Sequence, residues 1–192
     1  MELHCLRHGL TVENTRGIYH GTTDGTLASE QIEGLRRVRF DAAGYDAIYC
    51  SPLGRCRDTA RALGIGTCIV EPRISERRFG IFEGLSSAEC ERRFPEEFNA
   101  FLRFDAAYQI PEGESRAQNL SRVVEWLRGI ATHERVLAIT HGGTIDFLYR
   151  MASGIDLHGG SQIFSASNAS MSSFSVQWPQ VQLISYDVSV VA

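Results

Sequence analysis

The chain has 192 residues, of which 43% are hydrophobic, and carries a formal net charge of -4. That is enough apolar material for one sizeable core and predicts a single domain over 1–192. The mild negative charge excludes sequence-wide attraction to nucleic acid or an anionic membrane surface. No apolar run reaches the length of a membrane span, and the start Met1-Glu2-Leu3-His4 lacks the marks of a signal peptide, so a cytoplasmic location is the default expectation.

Residues 3–6 are predicted to form a short apolar strand ending at Arg7-His8-Gly9, where the glycine marks a turn. From there to about Asp24 the chain is so rich in turn formers that a loop without helix is expected. Leu27, Ile32, Leu35 and Val38, set among charges, predict an amphipathic helix over 27–40. A second strand is read over 46–50, and Pro52 then fits the first turn of a helix over 53–63. A third strand is expected over 67–70, followed by a loop with Glu76 and Gly80 and helical pieces over 87–94 and 95–104. Leu120, Val123, Val124, Leu127 and Ile130 recur at helical spacing within 115–132. A strand over 135–140 again ends in a histidine and glycines, His141-Gly142-Gly143, before a helical stretch over 145–151. Strands over 171–178 and 181–186, parted by Pro179, read as a hairpin.

Alternating strands and helices imply an α/β fold, a mostly parallel mixed sheet between helical layers. Ligands of such sheets bind outside the carboxyl ends of the strands. Three predicted strands end in chemically capable residues: Arg7-His8, Ser51 leading to Arg55, and His141. Together they form a candidate site.

All 19 basic residues are arginine, and lysine is absent, which removes P-loop lysine and Schiff-base chemistry. Genomic base composition would suffice to produce the bias, yet it leaves guanidinium groups as the handlers of any phosphate, a task their planar fork suits. The five cysteines (Cys5, Cys50, Cys56, Cys68, Cys90) form no C-x-x-C pair and read as small hydrophobes. Displacement at phosphorus requires an in-line nucleophile, positive charge around the equatorial oxygens and an acid for the leaving oxygen. His8 is the candidate nucleophile, Arg7 and Arg55 the clamp, His141 a further donor, with backbone amides of the glycine turns contributing. His4 lies too far along the strand to share a metal ion with His8, and His133 and His158 read as surface groups. The pairs Arg36-Arg37, Arg77-Arg78 and Arg92-Arg93 read as solvated faces, and Ser51-Pro52 lacks the glycine elbow of a serine nucleophile.

Five ordered segments carry a resemblance: Cys5-Leu6-Arg7-His8-Gly9-Leu10-Thr11-Val12-Glu13-Asn14; Gly21, Asp24, Leu27 and Gly34; Ser51-Pro52-Leu53-Gly54-Arg55-Cys56-Arg57-Asp58-Thr59-Ala60; Ile74-Ser75-Glu76-Arg77-Arg78-Phe79-Gly80-Ile81-Phe82-Glu83-Gly84; and Thr140-His141-Gly142-Gly143. In this order they resemble the histidine phosphatase (phosphoglycerate mutase-like) superfamily, with Leu10 and Phe82 departing from its commonest residues. The resemblance implies a three-layer α/β/α sandwich with paired histidines at the carboxyl edge of the sheet. It also implies a phosphohistidine on His8 and phosphate binding by Arg7, Arg55 and Gly142. Asn14, His20 and Gly21 match positions that line the phosphate pocket, and no metal or cofactor is implied. Glu76 matches the proton donor, with Glu83 of the same segment as its competitor. The stretch 86–112 is expected as a helical cover, in which Arg92, Arg93 and Arg103 are candidates to touch substrate. The expected partners are a phosphorylated small molecule and inorganic phosphate, with a homodimer left open. Phosphoglycerate mutases resemble the chain but carry a longer, lysine-bearing insertion after the match to Gly84, so a phosphatase is preferred over a mutase. An alpha-ribazole phosphatase is one specific alternative, prompted by Gly17-Ile18-Tyr19-His20-Gly21, and a catalytically silent binding protein is the third reading.

Overall fold

Strands β1 (Glu2–Arg7), β2 (Ala47–Cys50), β3 (Ile69–Val70), β4 (Arg135–Thr140), β5 (Ser170–Gln177) and β6 (Gln180–Ser189) pair into one sheet in the computed structural model, which describes residues 1–157 and 165–191. Their order is β3-β2-β4-β1-β5-β6. The first four run parallel and the closing hairpin antiparallel, giving the mixed sheet expected of this α/β chain.

Alternation along the central strands decides which helix goes where. Leu3 and Cys5 of β1 and Val136 and Ala138 of β4 share a core with Leu120, Val123, Trp126, Leu127 and Ile130 of α6 (Arg116–Ile130) and Ile145 and Leu148 of α7 (Gly142–Ser153). Leu6, Leu137 and Ile139 belong to a second core, with Leu35 of α2 (Ser29–Arg37) and Cys56 and Ala60 of α3 (Gly54–Ala62). The two cores are the two faces of the sheet, and the result is three layers. A third cluster, Phe82, Leu85, Cys90, Phe98 and Ile110, sits apart from both and ties α4 (Ser87–Arg93) and α5 (Pro95–Leu102) to the loop before them.

Several local expectations change. The loop after His8 contains one helical turn, α1 (Val12–Thr15), because Thr11 and Asn14 cap it reciprocally. Strand β3 shrinks to two residues at the sheet edge, with Ile69 and Val70 about half exposed. Pro52 stands before α3, whose first turn is capped from a distance: Asp24 accepts from the backbone N–H groups of Gly54 and Arg55. Helix α7 begins three residues earlier than its apolar spacing implies, directly at Gly142. His158 lies outside the described residues. Among the described residues no helix is long and apolar enough to cross a membrane.

Candidate active site

Parallel pairing of β1 with β4 places Arg7 beside Thr140, so His8 and His141 leave the sheet at the same edge. Their rings lie 5.2 Å apart, centroid to centroid, and both are buried. The backbone N–H of His8 donates to the Thr140 carbonyl, and that of Gly9 to Thr59 Oγ1 at 2.8 Å, which locks the turn against α3. His8 Nδ1 lies 2.8 Å from the Gly9 carbonyl. A carbonyl only accepts, so Nδ1 carries the proton and Nε2 keeps its lone pair. Burial first, then the charges of Arg55 and Arg7, hold the His8 pKa well below its ordinary 6.5, and the imidazole is neutral.

Arg55 is fully buried, and its guanidinium donates to the carbonyls of Gly21 (2.9 Å), Thr23 (3.2 Å) and His20 (3.3 Å). Asp24 stands 3.7 Å from it. Arg7 is held on the other side by Ser165 Oγ and the Ala166 carbonyl. The Nε–H of each arginine has no acceptor among the described residues, two buried donors that call for one. Asn14 Oδ1 accepts from Thr11 and from Asn168 Nδ2, which leaves its own amide N–H groups for the cavity that it lines. Gly142 and Gly143, the first turn of α7, also line that cavity and present the positive end of a helix.

Glu76 lies on the cavity wall, with Oε1 accepting from the N–H of Arg77 and Oε2 from that of Gly143. Its competitor Glu83 is differently employed. It accepts from the N–H groups of Thr22, Thr23 and Phe79 and from the hydroxyls of Thr22 and Thr23. Burial alone would raise its pKa, but these bonds prevail and keep it below the ordinary range, as a carboxylate. Glu83 therefore staples the loop whose carbonyls hold Arg55.

His20 lines the cavity, with Nδ1 on the Ile18 carbonyl and Nε2 3.3 Å from Thr11 Oγ1. Gly21 is placed differently from the expectation of substrate contact: it lies off the cavity wall, and its carbonyl serves Arg55. A Cβ there would sit 2.3 Å from the Arg77 carbonyl oxygen and 2.9 Å from the Phe79 nitrogen. Gly21→Ala is thus expected to destabilise the protein by about 2 kcal/mol or more, read as a lower urea midpoint at unchanged slope.

His141 also differs from the expectation of a donor facing the cavity. Its Nε2 lies 2.8 Å from Ser51 Oγ and 3.4 Å from Cys56 Sγ, behind His8. Burial, then Arg55, His8 and Arg7, hold its pKa well below 6.5. Both imidazoles are thus neutral when folded, whereas the unfolded chain protonates them below about pH 6.5. The unfolded state then binds more protons, so stability falls as pH drops below 6.5 and is regained above it. For each ring the slope approaches about 1.4 kcal/mol per pH unit. Urea melts between pH 7 and 5 check this, with His141→Asn expected to give the shallower dependence; identical slopes would mean that His141 is charged in the fold.

The cavity above these residues measures about 390 Å³. Its floor is polar, and its upper wall is built from Tyr19, Phe79, Phe101, Leu102, Phe104 and Tyr108, the last four from the expected cover. Arg92, Arg93 and Arg103 are exposed and lie off the cavity wall. Arg77, read from sequence as part of a solvated pair, lines the cavity instead, as does Arg116. Sequence reasoning also missed Asn168 and the anchoring roles of Ser51 and Thr59. The Ser51 and Thr59 positions stood inside a recognised segment; nothing in the sequence pointed to Asn168.

The sequence signature of the histidine phosphatase superfamily (branch 1) matches residues 3–188. A metal-independent phosphoserine phosphatase of Arabidopsis thaliana is 31% identical over 160 residues, 77% of this chain and 67% of that protein. An adenosylcobalamin/alpha-ribazole phosphatase of Escherichia coli is 25% identical over 164 residues, covering 81% and 80%. The crystal structure of the alpha-ribazole phosphatase from Shigella flexneri superposes with a TM-score of 0.85 at 22% identity, covering 100% of this chain and 98% of that one, a likeness of fold.

Proposed function

The chain belongs to the histidine phosphatase superfamily, and from that premise we propose that it is a metal-independent phosphomonoesterase that hydrolyses a phosphorylated small molecule through a phosphohistidine on His8. One observation carries the reading: a buried, neutral imidazole with Nδ1 tied to the Gly9 carbonyl stands among Arg7, Arg55 and the first turn of α7. Its Nε2 lone pair is the nucleophile, and the surrounding positive groups hold the equatorial oxygens.

In the first step the Nε2–phosphorus bond forms as the ester P–O bond breaks, and Glu76 gives its proton to the departing alkoxide oxygen. In the second, Glu76 takes a proton from water, the water oxygen bonds to phosphorus, and the Nε2–phosphorus bond breaks to release inorganic phosphate. Arg7 and Arg55 bridge the phosphoryl oxygens through both steps, with the Asn14 amide and the Gly142 N–H as further donors and His20 beside them. His141 adds its N–H to the phosphoryl group on giving up Ser51. The guanidinium groups supply the charge that a metal would otherwise bring. Helices α4 and α5 act as the cover over the bound ester.

A phosphate-release screen over phosphoserine, phosphoglycerates, sugar phosphates, nucleotides and alpha-ribazole phosphate, with chelator present, tests the proposal. Release from at least one compound, undiminished by chelation, is expected. Loss of release on chelation would replace the mechanism with a metal-dependent one, and isomerisation of a phosphoglycerate without release would replace the phosphatase with a mutase.

A further inference from the structure

An asparagine serves an anion only when the nitrogen end of its amide faces it. The two ends of an amide are nearly equal in size, so packing does not choose between them; the hydrogen bonds of the neighbours do. For Asn14 the choice is made by a relay that starts at the nucleophile's own backbone. The His8 carbonyl can only accept, and Asn168 Nδ2 lies 3.1 Å from it, so the Asn168 amide must turn its NH2 group to this side. The same nitrogen lies 3.3 Å from Asn14 Oδ1, within reach of its other hydrogen. Thr11 adds its backbone N–H at 3.2 Å and its hydroxyl at 3.0 Å to that oxygen. A hydroxyl suits either end of an amide, but the two N–H donors suit only the oxygen. Oδ1 is therefore held inward, and Asn14 Nδ2 is left for the cavity.

Asn168 itself lies off the cavity wall, in a segment, residues 165–169, that leads into β5. Ser165 and Ala166 of that segment hold Arg7, and the N–H of Ala169 donates to the His8 carbonyl at 3.1 Å. Asp187 of β6 pins the segment from behind, accepting from the Ser167 N–H at 2.5 Å and from its hydroxyl at 3.0 Å. Ala169 (φ 53°) and Asp187 (φ 56°) both adopt the left-handed backbone that side chains disfavour, a cost met where the surrounding bonds over-determine the turn. Five consecutive residues thus touch Arg7, His8 and Asn14 at once.

We infer that Asn168 is a positioning residue: it fixes which end of the Asn14 amide meets the transferring phosphoryl group, without touching that group itself. The inference rests on the phosphatase reading for the place of the phosphate.

The chain contains four asparagines, Asn14, Asn99, Asn119 and Asn168, so selective isotopic labelling of asparagine gives four side-chain amide signals in an NMR spectrum. The signal lost in Asn14→Ala identifies Asn14, and in the unaltered protein it is expected to shift as inorganic phosphate binds. Asn168→Leu matches asparagine in size and donates nothing. It is expected to abolish that shift and to weaken phosphate about tenfold by calorimetry, the scale of one charge-assisted hydrogen bond. Asn168→Ser, whose hydroxyl cannot span both acceptors, is expected to do the same and replaces the leucine variant should that one fail to fold. In Asn14→Ala there is no amide to orient, so adding the Asn168 change is expected to alter phosphate affinity by less than about twofold. An equal loss of affinity in both backgrounds would mark Asn168 as merely structural and overturn the inference. An Asn14 signal that ignores phosphate in the unaltered protein, or that still responds fully in the Asn168 variants, would overturn it too. In each of these cases phosphate still binds the unaltered protein, and the phosphoryl floor stands. Absence of phosphate binding to the unaltered protein overturns floor and inference together.

Discussion

Replacing His8 with alanine is expected to lower turnover on any productive substrate by on the order of 10⁴-fold or more, the scale on which loss of a covalent nucleophile is felt. Removal of this ring takes away the only imidazole among the described residues that lines the cavity beside Arg7 and Arg55 with a carbonyl-fixed Nδ1 and no side chain on its Nε2. His20 shares the fixed Nδ1, on the Ile18 carbonyl, but its Nε2 is occupied by Thr11 Oγ1. The companion measurement is chemical: unaltered protein mixed with labelled substrate and quenched in alkali retains label on a histidine, and the His8→Ala protein retains none. Turnover within tenfold of the parent, or label on another residue, would remove His8 from the mechanism. The fold should tolerate the change better than the chemistry does, because what is lost is one short bond to Gly9 and not a bridge between elements.

Arg55 is the opposite case, in which stability and activity fall together. Its guanidinium ties three carbonyls of the loop from His20 to Thr23 to the first turn of α3. Arg55→Ala leaves those acceptors without their charged donor, at a cost of about 3 kcal/mol. For a chain of this length that corresponds to a melting temperature lower by roughly 6–12 °C. At a temperature where the variant remains folded, kcat/KM is expected to fall by about 10³-fold, since a fixed cationic donor to the transferring group is gone. Arg55→Lys separates the two effects. A single ammonium keeps the charge but cannot reach three carbonyls and a phosphoryl oxygen at once, so stability recovers in part and activity stays low. A variant with parental melting and parental kcat/KM would show that Arg55 serves neither purpose.

The sheet and most of the site were readable from one sequence because their determinants are local. Strand β4 matches its apolar run residue for residue, and the histidines follow directly from strand ends and glycine turns. What failed to read was set by contacts between distant segments. Arg77-Arg78 and Arg92-Arg93 look alike as letters, and only the arrival of Phe101 from α5 turns Arg77 inward, while Arg93 stays exposed over the half-buried ring of Phe94. Glu76 and Glu83 share one motif, and it is Thr22-Thr23, some sixty residues earlier, that saturates the second and leaves the first on the cavity wall. His141 turns toward Ser51, ninety residues away in the chain, because a buried ring nitrogen takes the nearest hydroxyl. The helical turn at Val12–Thr15 was hidden because its stability comes from capping side chains rather than from apolar periodicity.

The parallel ladder that aligns Arg7 with Thr140 acts as a ruler for the chemistry. Adjacent strands lie about 4.8 Å apart, and the gap between the two imidazoles inherits that spacing. Deleting one residue from either strand would invert its alternation and swing its histidine to the opposite side of the sheet. The lengths of β1 and β4 are therefore tied to the chemistry at their ends.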